Sequence, residues 1–166
     1  MTIDLRPFPP AAADEVATLT GFLDYLRGTV ALKVRGLSDA DGARRMLPSA
    51  TTASGIVRHL TRVERSWFHD DIDGDTDGRW ARSGRDRAWE FGVTAEDSLD
   101  DLLLDYAEAC AESRQVLSGH GLDEPCLGTS KEHNVRWVLV HMIEETARHC
   151  GHLDIIRELL DGTTGQ

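Results

Sequence analysis

Apolar residues recur at helical intervals over four long segments, and no run of strict apolar–polar alternation lies between turn signals. In the first segment, Leu19, Leu23, Leu26 and Val30 follow one another at intervals of four, three and four. Residues at such intervals share one face of a helix, and that face is stable only when it packs against a partner. The pattern predicts helices over residues 12–34, 52–69, 96–117 and 134–160.

Polar residues and a glycine mark several of the predicted helix ends. Thr94 followed by Asp97 resembles a capping box at the start of the third helix, and Asn134 is a favourable N-cap for the fourth. Gly162 is typical of a helix C-terminus. Four amphipathic helices of this length bury their stripes against one another, so the sequence predicts an all-α four-helix bundle, with residues 1–166 forming a single domain. About 25 residues connect the second and third helices, which leaves room for a crossover, so these two need not be antiparallel neighbours.

Composition and charge exclude several classes of partner. The formal net charge of −11 would repel a phosphate backbone, so we expect no nucleic-acid partner. No apolar run approaches the ~20 residues of a membrane span, and the N-terminus lacks the basic-then-apolar order of a secretory signal. The three cysteines are too few and too irregularly spaced for a disulfide framework, which favours a cytoplasmic protein with reduced thiols. The oligomeric state stays open, a homodimer included.

One acidic segment is similar to the start of a calcium-binding EF-hand loop. Asp73, Asp75, Asp77 and Gly78 have the required spacing, but the twelfth position, where a bidentate Glu closes such a site, is Gly84. No helical pattern immediately flanks the segment. We therefore expect a solvated acidic loop and no calcium site.

The fourth helix carries the residues that point to chemistry. His141, Glu145, His149 and His152 are spaced by four, four and three, so they lie within roughly 80° of one another on the helix surface. Glu145 and His149 fall inside or at the edge of the apolar stripe, whereas His152 and especially His141 lie further out. A carboxylate that faces the interior is costly unless it is compensated, and a metal ion is one standard way to compensate it.

His59 on the second helix completes a candidate metal site. It lies at the edge of that helix's inward stripe, so one imidazole from each of two packed helices joins the Glu145 carboxylate. Two imidazoles and one carboxylate suit Zn²⁺, Fe²⁺ or Ni²⁺ and leave coordination positions open for water or substrate. The spacing alone leaves a second interpretation open, in which His59 is a hydrogen-bonded core histidine and Glu145 with His149 is an exposed pair.

Three stretches of the sequence resemble a known superfamily. PFPPAAADEVATLTGFLDYLR, GIVRHLTRVERSWF and RWVLVHMIEETARHCGHLDIIRELLDG are similar to the DinB-like four-helix-bundle metal proteins, and more closely to their actinobacterial branch with mycothiol S-transferase-type members. The resemblance implies a metal site in which His59 is the first histidine ligand. Glu145 occupies a position that is commonly His in the superfamily. The mycothiol-dependent maleylpyruvate isomerases of the superfamily are similar to this chain in having a Glu at that position. His152 stands where Gln is frequent, which implies a role near the metal.

The expected function is a metal-dependent thiol transferase or isomerase. A divalent metal, with Zn²⁺ expected and Ni²⁺ or Fe²⁺ as alternatives, would lower the pKa of a thiol co-substrate and present the thiolate to an electrophile. His152 would accept the thiol proton as the catalytic base. The resemblance suggests mycothiol, although the residues themselves do not select it over a similar small thiol. Two other classes remain: a metal-dependent hydrolase, and a non-catalytic metal-binding stress-response protein.

Overall fold

The computed structural model describes residues 6–75, 87–128 and 132–164. Its helices are α1 (Glu15–Val34), α2 (Asp39–Gly42), α3 (Ala53–Arg65) with a π-helical continuation (Ser66–Ile72), α4 (Arg87–Phe91), α5 (Leu99–Leu117) and α6 (Val135–Asp161). Among the described residues, β structure is limited to one isolated bridge between Pro125 and Asn134. The all-α prediction is confirmed, and the four predicted helices correspond to α1, α3, α5 and α6.

The ends of α6 form as the sequence predicts. The Asn134 side chain accepts a hydrogen bond from the backbone N–H of Trp137 at 2.9 Å, which satisfies one of the free donors of the first turn. Gly162 ends the helix with φ of 75°, a left-handed conformation that glycine adopts without a steric penalty. The helix that carries three of the candidate site residues is therefore fixed at both ends.

The predicted cap of α5 is wrong. The Asp97 carboxylate accepts from the Thr94 backbone N–H at 2.8 Å, but this pair closes a turn in the preceding loop. Ser98 is the N-cap, and its hydroxyl accepts from the Asp101 N–H at 3.2 Å. Both motifs place an oxygen acceptor three residues from an N–H donor. Helix α5 therefore begins at Leu99, which is buried and is the first residue of the apolar stripe.

The second long helix continues further than predicted and changes its geometry. After Arg65 the backbone widens into a π-helix, in which the Asp73 N–H donates to the Phe68 carbonyl at 3.0 Å. Phe68 and Ile72 of this segment are both fully buried. Periodicity at 100° per residue cannot indicate such a change, because a π-turn shifts the side chains that follow it.

Helices α1 and α6 are parallel neighbours. Glu15 near the start of α1 pairs with Arg136 at the start of α6, with 2.6 Å between Oε1 and Nε. Lys33 near the end of α1 pairs with Asp154 in the last turns of α6. The contacts therefore advance in the same direction along both helices.

Helices α3 and α5 form a second parallel pair. Arg65 Nη2 lies 2.7 Å from Asp105 Oδ1, and the contact of His69 with Glu112 lies further along both helices. The connection between the two helices is thus a crossover that brings the chain back to the same end of the bundle. Helix α3 runs antiparallel to α6, so the order of directions in the bundle is up, down, down, up.

Two groups of buried side chains form the core. The first includes Val30, Ile56, Leu60, Tyr106, Leu153 and Ile156, and the second includes Leu23, Phe68, Ile72, Val138, Leu139 and Met142. Arg27 and Glu64 pair between these groups, with Nε and Nη2 donating to the two carboxylate oxygens at 2.8 and 2.5 Å. Within the described residues, no helix is both long enough and apolar enough to cross a membrane.

The acidic segment that is similar to an EF-hand is only partly described. Asp73 Oδ1 lies 3.5 Å from His120 Nε2, and Asp75 is exposed. Asp77, Gly78 and Gly84 lie outside the described residues. The absence of a calcium site therefore stays a prediction.

Candidate metal centre

His59 of α3 and Glu145 and His149 of α6 converge in the groove between the two helices. Glu145 Oε1 lies 3.1 Å from His59 Nε2 and 3.2 Å from His149 Nε2, and one donor atom from each of the three residues lies within 4.8 Å of the others. Donor atoms bound at about 2.1 Å around a tetrahedral ion are roughly 3.4 Å apart. The three side chains therefore have the spacing of a metal-ligand set. Among the described residues, this is the one group of His, Cys, Asp or Glu side chains close enough together to hold a metal ion.

The antiparallel arrangement of α3 and α6 explains why these residues meet. Glu145 and His149 are four residues apart, so their side chains lie one above the other on the same face of α6. His59 faces them across the groove, with its ring centroid 4.8 Å from that of His149. The sequence predicted this set, and the structure brings all three of its members together.

Two of the three groups are in the protonation state that a metal ligand requires. Burial works against the charged form of Glu145, but the hydrogen bond from His59 and the nearby imidazoles outweigh it and lower the pKa of the carboxyl below its usual value. Burial and the neighbouring His59 lower the pKa of His149 to about 4. At neutral pH the site thus offers a carboxylate and a neutral imidazole, as metal binding requires.

The second carboxylate oxygen of Glu145, Oε2, contacts an exposed arginine. Glu145 Oε2 lies 3.4 Å from Arg148 Nη1, and Arg148 also pairs with Glu144 one turn earlier. Arg148 is 56% exposed, so this contact contributes little to stability. It does leave Oε1 as the oxygen directed at both imidazoles.

Glu90 is a residue near the site that the sequence reasoning missed. Its Oε2 lies 2.8 Å from His59 Nδ1, and its side chain is buried and paired with Arg62. The residue belongs to the short helix α4 in the long connection, which lacks any helical period that would have indicated it. The signal that could have indicated Glu90 is its chemistry, because the second ring nitrogen of a metal-binding histidine usually donates to a carboxylate.

His152 lies beside the converging residues but does not belong to the group. Its Nδ1 is 3.4 Å from His149 Nδ1, on the far side of the His149 ring from Glu145. His152 thus contacts a candidate ligand and remains partly exposed to solvent. Its predicted catalytic role stays a prediction.

His141 lies away from the converging residues, in a group of aromatic rings. Its ring centroid is 4.7 Å from that of Trp67 and 5.2 Å from that of Trp137, and the Trp137 and His141 rings are nearly parallel. His133 stacks on Trp137 with 3.6 Å between centroids. The spacing on α6 placed His141 in line with Glu145, but in the structure its ring lies among these aromatic side chains.

Comparison with known proteins adds one finding. A family model described as mycothiol-S-transferase matches residues 18–162, a span that includes His59, Glu145, His149 and His152. No curated protein matches the chain.

Proposed function

Because the chain belongs to the mycothiol S-transferase family, we propose that it is a metal-dependent transferase or isomerase that uses mycothiol or a similar low-molecular-weight thiol. The observation that carries this proposal is the convergence of His59, Glu145 and His149 on one point of the α3–α6 groove. The family match supports the thiol, and the side-chain geometry supports the metal. Neither identifies the electrophile.

His59, Glu145 and His149 would hold the ion. Two imidazole nitrogens and one carboxylate oxygen suit Zn²⁺, and also Ni²⁺ or Fe²⁺, and three protein ligands leave room for a co-substrate. When bound, a divalent ion supplies Lewis acidity that lowers the pKa of a neighbouring thiol and so raises its nucleophilicity. The single negative charge of Glu145 retains the ion and leaves it with a net positive charge.

His152 is the group that we assign to proton transfer. It is partly exposed and touches His149, so it lies next to the site and in reach of solvent. The thiol would give its proton to an imidazole nitrogen of His152, and the sulfur would then form a bond to an electrophilic carbon. The bond from that carbon to its leaving group would break, and the leaving group would depart with the electron pair and take up the proton from His152. Buried, unpaired Cys110, Cys126 and Cys150 fit a protein that works in the reducing cytoplasm.

The proposal is tested by metal analysis followed by a thiol screen. The chain is purified without an affinity tag, its metal content is measured by mass spectrometry, and consumption of mycothiol is followed with a panel of electrophiles. We expect about one equivalent of metal and thiol-dependent turnover that is lost in His149→Ala. His120→Ala is the matched control, since this histidine pairs with Glu124 on a different part of the molecule.

Two other outcomes would contradict the proposal. Turnover that needs metal but no thiol would identify a hydrolase. Full metal content without turnover across thiols and electrophiles would identify a binding protein.

A further inference from the structure

The short helix α4 presents a buried carboxylate to a candidate metal ligand. Glu90 is only 1% exposed, and its Oε2 lies 2.8 Å from His59 Nδ1. A carboxylate at this depth is costly unless its oxygens are paired, and Arg62 of α3 pairs with the other oxygen. The position of Glu90 is therefore fixed by α3 from two sides.

Helix α4 is held against α3 by the residue that precedes His59. Arg58 donates from Nε to the Glu90 carbonyl at 3.1 Å and from Nη2 to the Trp89 carbonyl at 2.5 Å. Its guanidinium carbon also lies 4.6 Å from the centroid of the Trp89 ring. These contacts attach the backbone of α4 to the turn of α3 that carries His59.

The next residue of α4 covers the face of the His59 ring. Phe91 stacks on His59 with 5.6 Å between ring centroids and an interplanar angle of 27°. The edge of the ring is thus set by Glu90 and its face by Phe91. Both constraints come from a segment outside the four long helices of the bundle.

The hydrogen bond from His59 determines which ring nitrogen is available. An ionised carboxylate can only accept, so the nitrogen that faces Glu90, Nδ1, carries the hydrogen. Nε2, which faces Glu145, would offer its lone pair only to a bound ion, and the hydrogen that Glu90 holds on Nδ1 makes Nε2 the ligating nitrogen. A carboxylate in this position also raises the basicity of the ligating nitrogen.

We propose that Glu90 is a positioning residue of the metal centre, and that it couples the docking of α4 to metal binding. The inference rests on the metal site of the proposed function, but not on thiol chemistry. Since coupling between two binding events is reciprocal, metal at His59 stabilises docked α4 to the same extent that docked α4 strengthens metal binding. The long crossover thereby contributes directly to the site.

The first test is the zinc affinity of Glu90 variants, measured by competition with a chromophoric chelator. We expect Glu90→Ala to weaken zinc binding by roughly 10- to 100-fold. Glu90→Gln should lose less, because its amide oxygen still accepts from Nδ1. Glu96→Gln, which removes an exposed carboxylate from the same connection, is the matched control and should bind zinc as the wild type does.

The second test uses the unaltered chain, so it does not depend on whether a variant folds. Hydrogen exchange is followed by mass spectrometry in peptides that cover residues 87–93, with and without zinc. Slower exchange in the presence of zinc supports the coupling. Equal exchange in the two states would overturn it.

A purely structural role for Glu90 predicts a different pattern. Glu90→Ala would then lower the melting temperature equally with and without zinc, and its zinc affinity would equal that of the wild type; this result would overturn the inference while leaving the proposed function intact. A wild-type chain that binds no zinc, nickel or iron would overturn both.

Discussion

Replacing Glu64 by Gln removes one charge from the buried ion pair between the two groups of core residues. Glu64 is 1% exposed and Arg27 is 6% exposed, and the two share a bidentate contact. Pairing with Glu64 raises the pKa of the Arg27 guanidinium although burial lowers it. Even without Glu64, an arginine side chain stays protonated in a protein, so Arg27 keeps its charge in the variant. The substitution therefore leaves a buried cation with its main partner removed.

The expected loss follows from the contacts that remain. Breaking a buried ion pair by removing one partner costs about 3–5 kcal/mol. Arg27 retains Asp24 at 2.8 Å, and Gln supplies one acceptor oxygen in nearly the same place, so we expect the lower end of this range. For a chain of 166 residues, a loss of about 3 kcal/mol lowers the melting temperature by roughly 6–12 °C.

Urea denaturation of metal-free protein measures this loss, and a double variant tests its cause. Arg27→Met combined with Glu64→Leu fills a similar volume without charge, so it should recover most of the stability lost in Glu64→Gln. Glu15→Gln breaks the exposed pair with Arg136 and should change the free energy of unfolding by less than about 1 kcal/mol. The reasoning is refuted if Glu64→Gln unfolds within about 1 kcal/mol of the wild type, or if the double variant is as unstable as the single one.

Four further predictions concern the site and the acidic segment. His149→Ala should lose most of its bound metal, whereas His152→Ala should lose only roughly 10- to 100-fold in affinity; a full equivalent of tightly bound metal in His149→Ala would contradict the ligand set. The pKa of His149 is lowered from 6.5 to about 4, so between these two pH values the unfolded chain binds more protons than the folded chain. The free energy of unfolding of the metal-free protein should therefore fall as the pH drops from about 6.5 to 4, and His149→Gln should flatten this slope in urea titrations. Calcium should not raise the melting temperature, and a rise that disappears in Asp75→Ala would contradict this. Addition of mycothiol to cobalt-substituted protein should produce a sulfur-to-metal absorption band in the near ultraviolet, and no spectral change would oppose thiol binding at the metal.

The helices and two of the candidate ligands follow from local patterns. Apolar stripes predict α1, α3, α5 and α6 because each of these helices buries one face, and Glu145 with His149 share a face of α6 by spacing alone. The role of His59 depends on its contact with α6, which the sequence indicates only through its position at the edge of a stripe.

Other features depend on tertiary contacts that no local pattern encodes. Glu90 lies in an aperiodic connection, and its importance arises only because α4 folds onto α3. The π-helical turn is similar, since the spacing of the residues in this segment fits an α-helix equally well. Thr94 and Ser98 begin equivalent local motifs, so the sequence does not indicate that Ser98 is the cap of α5.

The antiparallel contact between α3 and α6 also determines when the site can exist during synthesis of the protein. His59 and Glu145 are separated by 86 residues, so the ribosome adds the second ligand roughly 4–17 s after the first. During that interval α3 carries its imidazole without the Glu145 carboxylate, and α5 is made before α6 begins. The three candidate ligands come together only when α6 has left the ribosome and docked against α3. An ion held by these three residues would consequently be captured by a bundle in which α1, α3, α5 and α6 have all been made.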